Sequence, residues 1–444
     1  MNRTLCRAMS LAFVVTTSGV AHAASDTDLT DIRKQIDALT QRQAEDTRRI
    51  QDLEAALARA ETQHAADQAK QAASAPVVAN NAPTSAGAFN PAINGVLDGK
   101  LGVFSRDPSN YAIAGFPLGG EGPGQRGLAL GEAELNATAN VDDLFMGSLT
   151  MSLEQDGGDT EVSLEEAFIQ TLSLPGGLQA TAGKFLSDIG YMNSQHEHAD
   201  DFADRPLAYR AFLANSFGDT GIRMTWLAPT ITYIRVGGEV FRGDSFPAAG
   251  AANRGFGAHS AYVRVGDDLG TDFSYQTGVS WLWTDARGRE TGALSDVFTG
   301  STDVGIAHLV VKWAPNGNPT QRNVKFQAEV LRNHLNGDFN GVGVERTDYG
   351  AYGQLTYQFM QGWRVGYRFD WMSAGAVPAN ILLATLDSQG HDATRHTAML
   401  EYNRSEFSRI RLQFASDRSR LGASDNQILL QYTATIGAHP AHAY

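Results

Sequence analysis

Sixteen segments with a period of two fill the sequence from residue 93 onward, and the gaps between them alternate in length. Long gaps follow the odd segments and short gaps follow the even ones, with 156–160 and 314–321 as the exceptions. Alternating apolar and polar residues predict strands with two different faces. An even strand number with alternating long loops and tight turns is typical of single-chain outer-membrane barrels. The sequence therefore predicts an all-β fold, a 16-stranded antiparallel transmembrane β-barrel over residues 92–444.

The predicted strands are 93–104, 127–141, 146–155, 161–172, 177–186, 220–228, 230–242, 256–266, 271–284, 302–313, 322–334, 347–360, 362–374, 394–404, 407–417 and 426–437. The intervening long loops then lie on the extracellular side, and both ends of the chain lie in the periplasm.

The charged residues of these strands indicate which face is inside. In 362–374, Trp363, Tyr367 and Trp371 alternate with Arg364 and Arg368. An Arg or Lys facing lipid costs about 2–4 kcal/mol near the membrane midplane, so the charged face must line the lumen. Sixteen strands leave an aqueous channel. The residues predicted to line it are Glu132, Glu134, Arg223, Arg235, Glu239, Arg364, Arg368, Arg409 and Arg411. The arginines could select anions or pair with lumen carboxylates, and the sequence leaves both alternatives open.

Charge and hydropathy exclude two other classes. The net charge of −14 argues against a nucleic-acid partner, because nucleic-acid binding needs a basic face. After residue 23 no run of 18 apolar residues occurs, so no transmembrane helix is predicted.

Residues 1–23 have the pattern of a secretory signal peptide. Arg3 and Arg7 precede an apolar stretch, and Ala21-His22-Ala23 is a cleavage site of the Ala-x-Ala type. The single cysteine, Cys6, lies in this segment, so the mature chain is expected to contain no disulfide.

Residues 24–64 are predicted to form a periplasmic α-helical coiled coil, because their apolar residues recur at spacings of three and four. Ile36 and Ile50 fall at d positions, which favours trimers or tetramers over dimers. A lone amphipathic helix is the alternative. Residues 65–91 are rich in Ala, Gln, Asn, Pro and Ser and predict a flexible linker.

The longest gap, residues 187–219, contains imidazole and carboxylate donors within six residues of one another. These residues are His196, His198, Asp200 and Asp201. Such ligands suit zinc, so a Zn²⁺ contact is predicted here, although no cofactor is required. The alternative is a polar loop whose carboxylates pair with Arg205 and Arg210.

Two further motifs carry little chemistry. Gly243-Asp244-Ser245-Phe246 resembles the nucleophile block of some lipid esterases, but no companion base and orienting acid are visible. His439 and His442 form a second donor pair in the tail. We expect residues 243–246 to form an Asp-Ser turn, and His439 and His442 to be tail residues without a chemical role. We predict that the protein is not an enzyme.

Residues 184–196 (KFLSDIGYMNSQH) and 205–213 (RPLAYRAFL) carry a family resemblance. They resemble Gram-negative outer-membrane proteins described as zinc-regulated TonB-dependent outer membrane receptors, akin to the phosphate-selective porin O/P group. The resemblance implies a porin-like channel linked to zinc uptake, with the third long loop folded inward as a constriction. Tyr444 resembles the terminal aromatic residue that the barrel-assembly machinery recognises.

These observations together predict a homotrimeric porin-like channel in outer-membrane lipid, through which small polar solutes or ions diffuse passively. The alternative is a plugged structural or adhesive barrel whose coiled coil contacts other components of the cell envelope.

Overall fold

A computed structural model of the chain describes residues 34, 41, 91–119, 122–131, 133–156, 159–250, 255–291, 296–377 and 385–437. Apart from Lys34 and Gln41, the predicted signal peptide, coiled coil and linker up to residue 90 lie outside the described residues, as does the tail with Tyr444. Among the helices of the described ranges, none has the length and apolar character needed to cross a membrane.

Sixteen strands form one antiparallel sheet in the described part of the chain, when the two pieces of the second strand are counted together. They are β1 (Ala92–Phe104), β2 (Gly127–Leu130 and Ala133–Asn140), β3 (Phe145–Asp156), β4 (Asp159–Thr171), β5 (Leu178–Leu186), β6 (Gly218–Leu227), β7 (Tyr233–Phe241), β8 (Ala258–Leu269), β9 (Phe273–Thr291), β10 (Asp296–Trp313), β11 (Asn323–Phe339), β12 (Val342–Met360), β13 (Trp363–Ser373), β14 (Ala393–Ser405), β15 (Ser408–Arg418) and β16 (Asp425–Gly437).

The sheet closes on itself. Each strand pairs with its neighbours in sequence, and β1 pairs with β16 from Asn94 opposite Gly437 to Phe104 opposite Gln427. Closure removes the exposed sheet edges that would otherwise pair with other chains. The prediction of a closed 16-stranded antiparallel barrel is thereby confirmed.

Side chains along the strands place apolar groups outside and charges inside. In β13, Val365, Tyr367 and Phe369 are exposed, whereas Arg368 and Asp370 are completely buried. Strands β15 and β16 show the same alternation. A soluble protein has the opposite arrangement, because charged residues are almost never fully buried there unless they are paired. An apolar exterior with a polar interior is the pattern of a barrel that faces lipid.

The hairpins in the middle of the chain are longer than the sequence predicts. The segments 285–301 and 335–346 were expected to be loops, but β9–β10 and β11–β12 continue through most of them. In the second hairpin Phe339 pairs with Val342, which leaves only Asn340 and Gly341 as the turn. Residues 285–301 are rich in Gly, Asp, Ser and Thr, and residues 335–346 are rich in Gly and Asn. These turn-forming residues predicted loops, although Leu335, Phe339 and Val344 are buried in the structure.

The barrel wall is irregular at β2 and β4. Val96 of β1 faces Glu134 and Gly99 faces Leu130, so β2 contains one extra residue between its two pieces. In β4, Thr150 of β3 faces Glu166 and Met151 faces Leu164, which makes Glu165 the extra residue. Such β-bulges redirect side chains and are frequent beside functional sites.

Strands β4 and β5 pair over only four residues on each strand, 167–170 with 181–184. Beyond these four pairs the backbone hydrogen bonds between β4 and β5 end. There the Glu166 carboxylate accepts a hydrogen bond from the Leu186 backbone N–H at 3.0 Å. The chain leaves the wall at this point and turns into the lumen.

Candidate functional site

The connection between β5 and β6, residues 187–217, folds into the barrel, and we call it the inward loop. Most of its residues are buried, and its helix α1 (Leu207–Leu213) is buried throughout. Its hydrogen bonds reach ten of the sixteen strands, β2, β4, β7–β9 and β11–β15. The inward loop therefore crosses the lumen and contacts the wall on several sides.

Helix α1 lies against β12 and β13. The Asp370 carboxylate of β13 accepts a hydrogen bond from the Leu207 backbone N–H at 3.2 Å, which satisfies a donor at the start of the helix. Ala214, with a φ of 48°, ends the helix. Gly350 of β12 allows the close approach, because a Cβ at this position would lie 2.7 Å from the Cβ of Ala208.

Glu329 of β11 binds the first half of the inward loop. Its carboxylate accepts hydrogen bonds from the backbone N–H groups of Tyr191 and Met192 at 3.2 and 3.0 Å. It also accepts hydrogen bonds from the hydroxyls of Tyr209 and Tyr352 at 2.9 and 2.7 Å. Burial and the neighbouring carboxylate raise the pKa of the Tyr209 hydroxyl well above its ordinary value, so this group stays a donor.

Asp204 binds the second half of the inward loop to the wall. The carboxylate lies 2.8 Å from Arg210 of α1 and 2.9 Å from Arg368 of β13, and it also pairs with Arg395 of β14. Burial would raise the pKa of Asp204, but the three guanidinium charges, that of Arg395 foremost, hold it well below its usual range. The Asp204 carboxylate is therefore ionised at neutral pH.

Asp200 and Asp201, which the sequence groups with the histidines, are bound by cationic side chains instead. The Nε of Arg205 lies 2.9 Å from Asp200, and Lys325 and Arg364 lie 2.9 and 3.1 Å from Asp201. The positive charges of Lys325 and Arg364 outweigh burial and hold the pKa of Asp201 well below its ordinary value. Their charges are thus neutralised within the chain.

His196 and His198 contact the wall at β2 and β4. Their rings stack with centroids 5.6 Å apart. The Nδ1 of His196 lies 3.4 Å from Glu134 and 3.2 Å from Glu165, and its Nε2 lies 3.2 Å from Glu166. His198 Nδ1 lies 2.7 Å from Glu134. Burial would lower the pKa of His196, but the hydrogen bonds to Glu165 and Glu166 and the surrounding negative charge raise it well above its ordinary value.

The residues predicted to line the pore face the lumen wherever the structure describes them, and Glu132 lies outside the described residues. Arg223 pairs with Glu239 at 2.7 Å and Arg235 pairs with Asp188 at 2.7 Å. Arg364 and Arg411 bind Glu401, each to one of its two oxygens, at 2.8 and 2.7 Å, and Arg368 binds Asp204 and Asp370. Arg409 donates a hydrogen bond to the His198 carbonyl oxygen. Of the two sequence alternatives, the structure shows arginine–carboxylate pairing.

Sequence reasoning missed several residues that bind the inward loop or its partners, among them Glu329, Arg395, Glu401 and Asp204. Glu329, Arg395 and Glu401 lie on the alternating lumen face of predicted strands, so the period of two could have identified them. Asp204 lies in a loop, where no period exists, and no sequence signal marks it.

A cavity of about 980 Å³ lies at the end of the barrel that carries the short turns. Its lining includes Tyr191 of the inward loop, the lumen residues Lys312, Lys325 and Arg364, and Asp272 in a turn. The inward loop therefore leaves the lumen open at this end.

A closed sixteen-stranded antiparallel barrel with a polar lumen is the fold that porins have. Among solved structures, the chain is similar to the anion-selective porin from Comamonas acidovorans at 11% identity and a TM-score of 0.51, over 78% of this chain and 99% of that one. It is also similar to the outer membrane channel DcaP of Acinetobacter baumannii at 10% identity and a TM-score of 0.51, over 79% and 99% of the two chains.

The trimer form of OmpT from Vibrio cholerae gives a TM-score of 0.51 at 10% identity, over 78% of this chain and 99% of that one. At such identities the likeness shows the fold. An uncharacterized protein of Aquifex aeolicus (strain VF5) is 29% identical over 395 residues, which cover 82% of this chain and 81% of that protein. No protein-family model matches the chain.

Proposed function

We propose that this protein is an outer-membrane channel through which small polar solutes or ions diffuse passively. The observation that carries the proposal is a closed barrel, apolar outside and charged inside, whose lumen is crossed by a loop bound to wall strands on several sides. A barrel with this polarity is stable only with lipid outside and polar contents inside.

Strand lengths support a membrane location. Strands β13 to β16 contain 11 to 13 residues. A tilted strand of about 9–11 residues spans the hydrocarbon core of a bilayer. The exposed side chains of these strands, such as Tyr367, Leu412 and Leu430, are apolar and can face acyl chains.

The inward loop supports a narrow passage. Arg205, Arg368 and Arg411 have at most 1% of their surface exposed, so the loop packs tightly against β13 and β15. Because most lumen arginines are paired with carboxylates, little net charge remains to concentrate ions of one sign. We therefore expect low conductance and weak ion selectivity.

Single-channel conductance in planar bilayers tests the proposal. The full-length protein should give small, discrete steps in KCl. A variant in which residues 188–216 are replaced by a short Gly-Ser connection should give larger steps, because the obstruction is removed. A folded Glu345→Gln variant is the matched control, since Glu345 is exposed near the tip of the β11–β12 hairpin.

The two barrel hypotheses differ in this experiment. Conductance only after removal of the inward loop would support a plugged structural barrel and contradict the channel. Absence of conductance in both proteins would also contradict it.

We further propose that three copies assemble and that residues 24–64 form a periplasmic coiled coil between them. The support is the heptad spacing with isoleucine at d positions. Deletion of residues 26–64 should weaken the trimer when the protein is sized in detergent. An unchanged trimer would place the determinant in the barrel wall.

Zinc as a transported solute, and recognition of Tyr444 by the assembly machinery, are proposed from the family resemblance. Reversal potentials measured with zinc salts test the first. Accumulation of unfolded protein in a Tyr444→Ala variant tests the second.

A further inference from the structure

The residues His196, His198, Glu134, Glu165 and Glu166 form a group whose ion pairs differ from most others in the lumen, and we call it the His–Glu cluster. Elsewhere in the lumen, carboxylates such as those of Asp201, Asp204 and Glu401 pair with Arg or Lys. In the described part of the chain, the ion pairs of the three glutamates of the cluster are all with histidine. The three carboxylates outnumber the two imidazoles, so the net charge of the cluster is negative whether the imidazoles are neutral or protonated.

Three donor atoms of the His–Glu cluster already surround a common point. One ligand atom each from Glu134, Glu165 and His196 lie within 4.8 Å of one another. The His196 Nδ1 is 3.4 Å from the Glu134 oxygen and 3.2 Å from the Glu165 oxygen. Ligands bound to a tetrahedral metal ion at about 2.0–2.2 Å are themselves about 3.3–3.6 Å apart. These separations match with little rearrangement.

The second oxygen of Glu165 gives an independent reason to expect a ligand. Oε2 is buried and has no hydrogen-bond partner among the described residues. A buried acceptor without a partner is costly, and more so when it is charged. The β-bulge places this carboxylate in the lumen. A cation at the centre of the cluster would neutralise it.

We propose that the His–Glu cluster binds one divalent transition-metal ion through His196 Nδ1 and the carboxylates of Glu134 and Glu165, and so links the inward loop to β2 and β4. A tetrahedral ion held by three protein ligands would have a fourth coordination position for water or a solute. Imidazole with carboxylate donors suits ions such as Zn²⁺, Co²⁺ or Ni²⁺, whereas Mg²⁺ and Ca²⁺ prefer oxygen ligands alone.

The remaining members of the cluster orient the ligands. The other ring nitrogen of His196, Nε2, lies 3.2 Å from Glu166, which is the carboxylate–histidine arrangement common behind metal-binding histidines. His198 Nδ1 lies 2.7 Å from the second oxygen of Glu134 and fixes that carboxylate. Glu166 and His198 are thus positioning residues. The site does not depend on whether the barrel conducts.

Metal titration of the full-length protein in detergent tests the site. After treatment with a chelator, the protein is titrated with Co²⁺, whose visible absorption reports the coordination geometry, and then with Zn²⁺ by calorimetry. We expect one ion per chain. Glu165→Gln and His196→Asn should each weaken binding at least tenfold and remove the cobalt spectrum, because each removes a ligand.

Three controls separate this site from other histidines. His391→Asn removes a histidine that contacts the Arg418 carbonyl outside the cluster, and His439→Asn with His442→Asn removes the tail pair. All three substitutions should leave binding unchanged. The proposal is overturned if Glu165→Gln and His196→Asn bind cobalt as the wild type does. It is equally overturned if the wild-type protein does not bind one metal ion per chain. This second result does not depend on whether the variants fold.

Discussion

At the scale of single residues, the lumen contains charges that are buried more completely than is usual. Arg368, Arg395 and Arg411 have no exposed surface, and each pairs with carboxylates of the inward loop or the wall. Breaking a buried pair by removing one partner is costly, because the remaining charge has no partner in a medium that solvates it poorly. Isosteric changes in these carboxylates should therefore release the inward loop.

Glu329→Gln should loosen the first half of the inward loop. Each oxygen of Glu329 accepts two hydrogen bonds, and an amide would place an NH₂ group opposite two donors. We expect a loss of about 1–3 kcal/mol in the free energy of unfolding, measured in urea. Proteolysis of the inward loop should also become faster. Glu345→Gln is the exposed control. If the Glu329→Gln variant were as stable as this control, Glu329 would not hold the inward loop.

Asp204→Asn should make the channel prefer anions. The substitution removes the one negative charge shared by Arg210, Arg368 and Arg395 and leaves their positive charges in the lumen. Reversal potentials in a KCl gradient measure the shift. Asp392→Asn, in an exposed connection, removes the same charge outside the lumen and should leave the potential unchanged.

The inward loop should stay in place from pH 8 down to about pH 5 and open only in stronger acid. The pKa values of Asp201 and Asp204 are lowered in the folded protein, so these groups stabilise it fully above their ordinary pKa of about 4. That contribution is lost as the pH falls through the lowered values. Conductance measured against pH checks this, and a rise between pH 8 and pH 5 would contradict it.

At the scale of elements, the inward loop is held by shape as well as by charge. Helix α1 fits against β12 because Gly350 has no side chain to meet Ala208. Strand β12 also contains Gly353, around which an added Cβ would have no neighbour within 4 Å among the described residues. The two glycines allow a matched comparison on one strand.

Gly350→Val should displace helix α1, whereas Gly353→Val should not. A Cβ at residue 350 would lie 2.7 Å from the Cβ of Ala208, which real structures do not allow, so the helix must move. We expect Gly350→Val to destabilise the protein by about 1–3 kcal/mol, as overpacked sites usually do. Unfolding in urea measures both variants. Equal effects of the two substitutions would show that the helix does not depend on this contact.

At the scale of the whole molecule, the sequence predicts the barrel but not the contents of its lumen. Strand number and the orientation of side chains such as that of Arg364 follow from local alternation, which a barrel with an apolar exterior and a polar lumen needs on every strand. The docking of the inward loop depends on contacts between distant residues, as between Tyr209 and Glu329. No local pattern encodes such contacts. The histidines were identified by residue type, but their glutamate partners lie on strands that pattern alone does not bring near them.

Leu355→Arg should destabilise the barrel in lipid, whereas Glu345→Arg should not. Leu355 is exposed on the outer face in the part of β12 near the short turn, where lipid is expected. An Arg facing lipid near the midplane costs about 2–4 kcal/mol. Glu345 lies near the tip of the extended hairpin and should remain in water. Unfolding in lipid vesicles measures both, and equal stability would show that no lipid covers Leu355.

The inward loop also constrains the order in which the protein can assemble. Many of its partners follow it in the chain, by 138 residues at Tyr191–Glu329 and by as many as 211 at Asp200–Arg411. Contacts over such separations form late, because the loop-closure entropy must be overcome first. The inward loop can complete its contacts only after β15, which carries Arg411, has joined the wall. We therefore expect docking of the loop to be among the last steps of folding, and a chain that ends before β15 should leave the loop without its most distant partners.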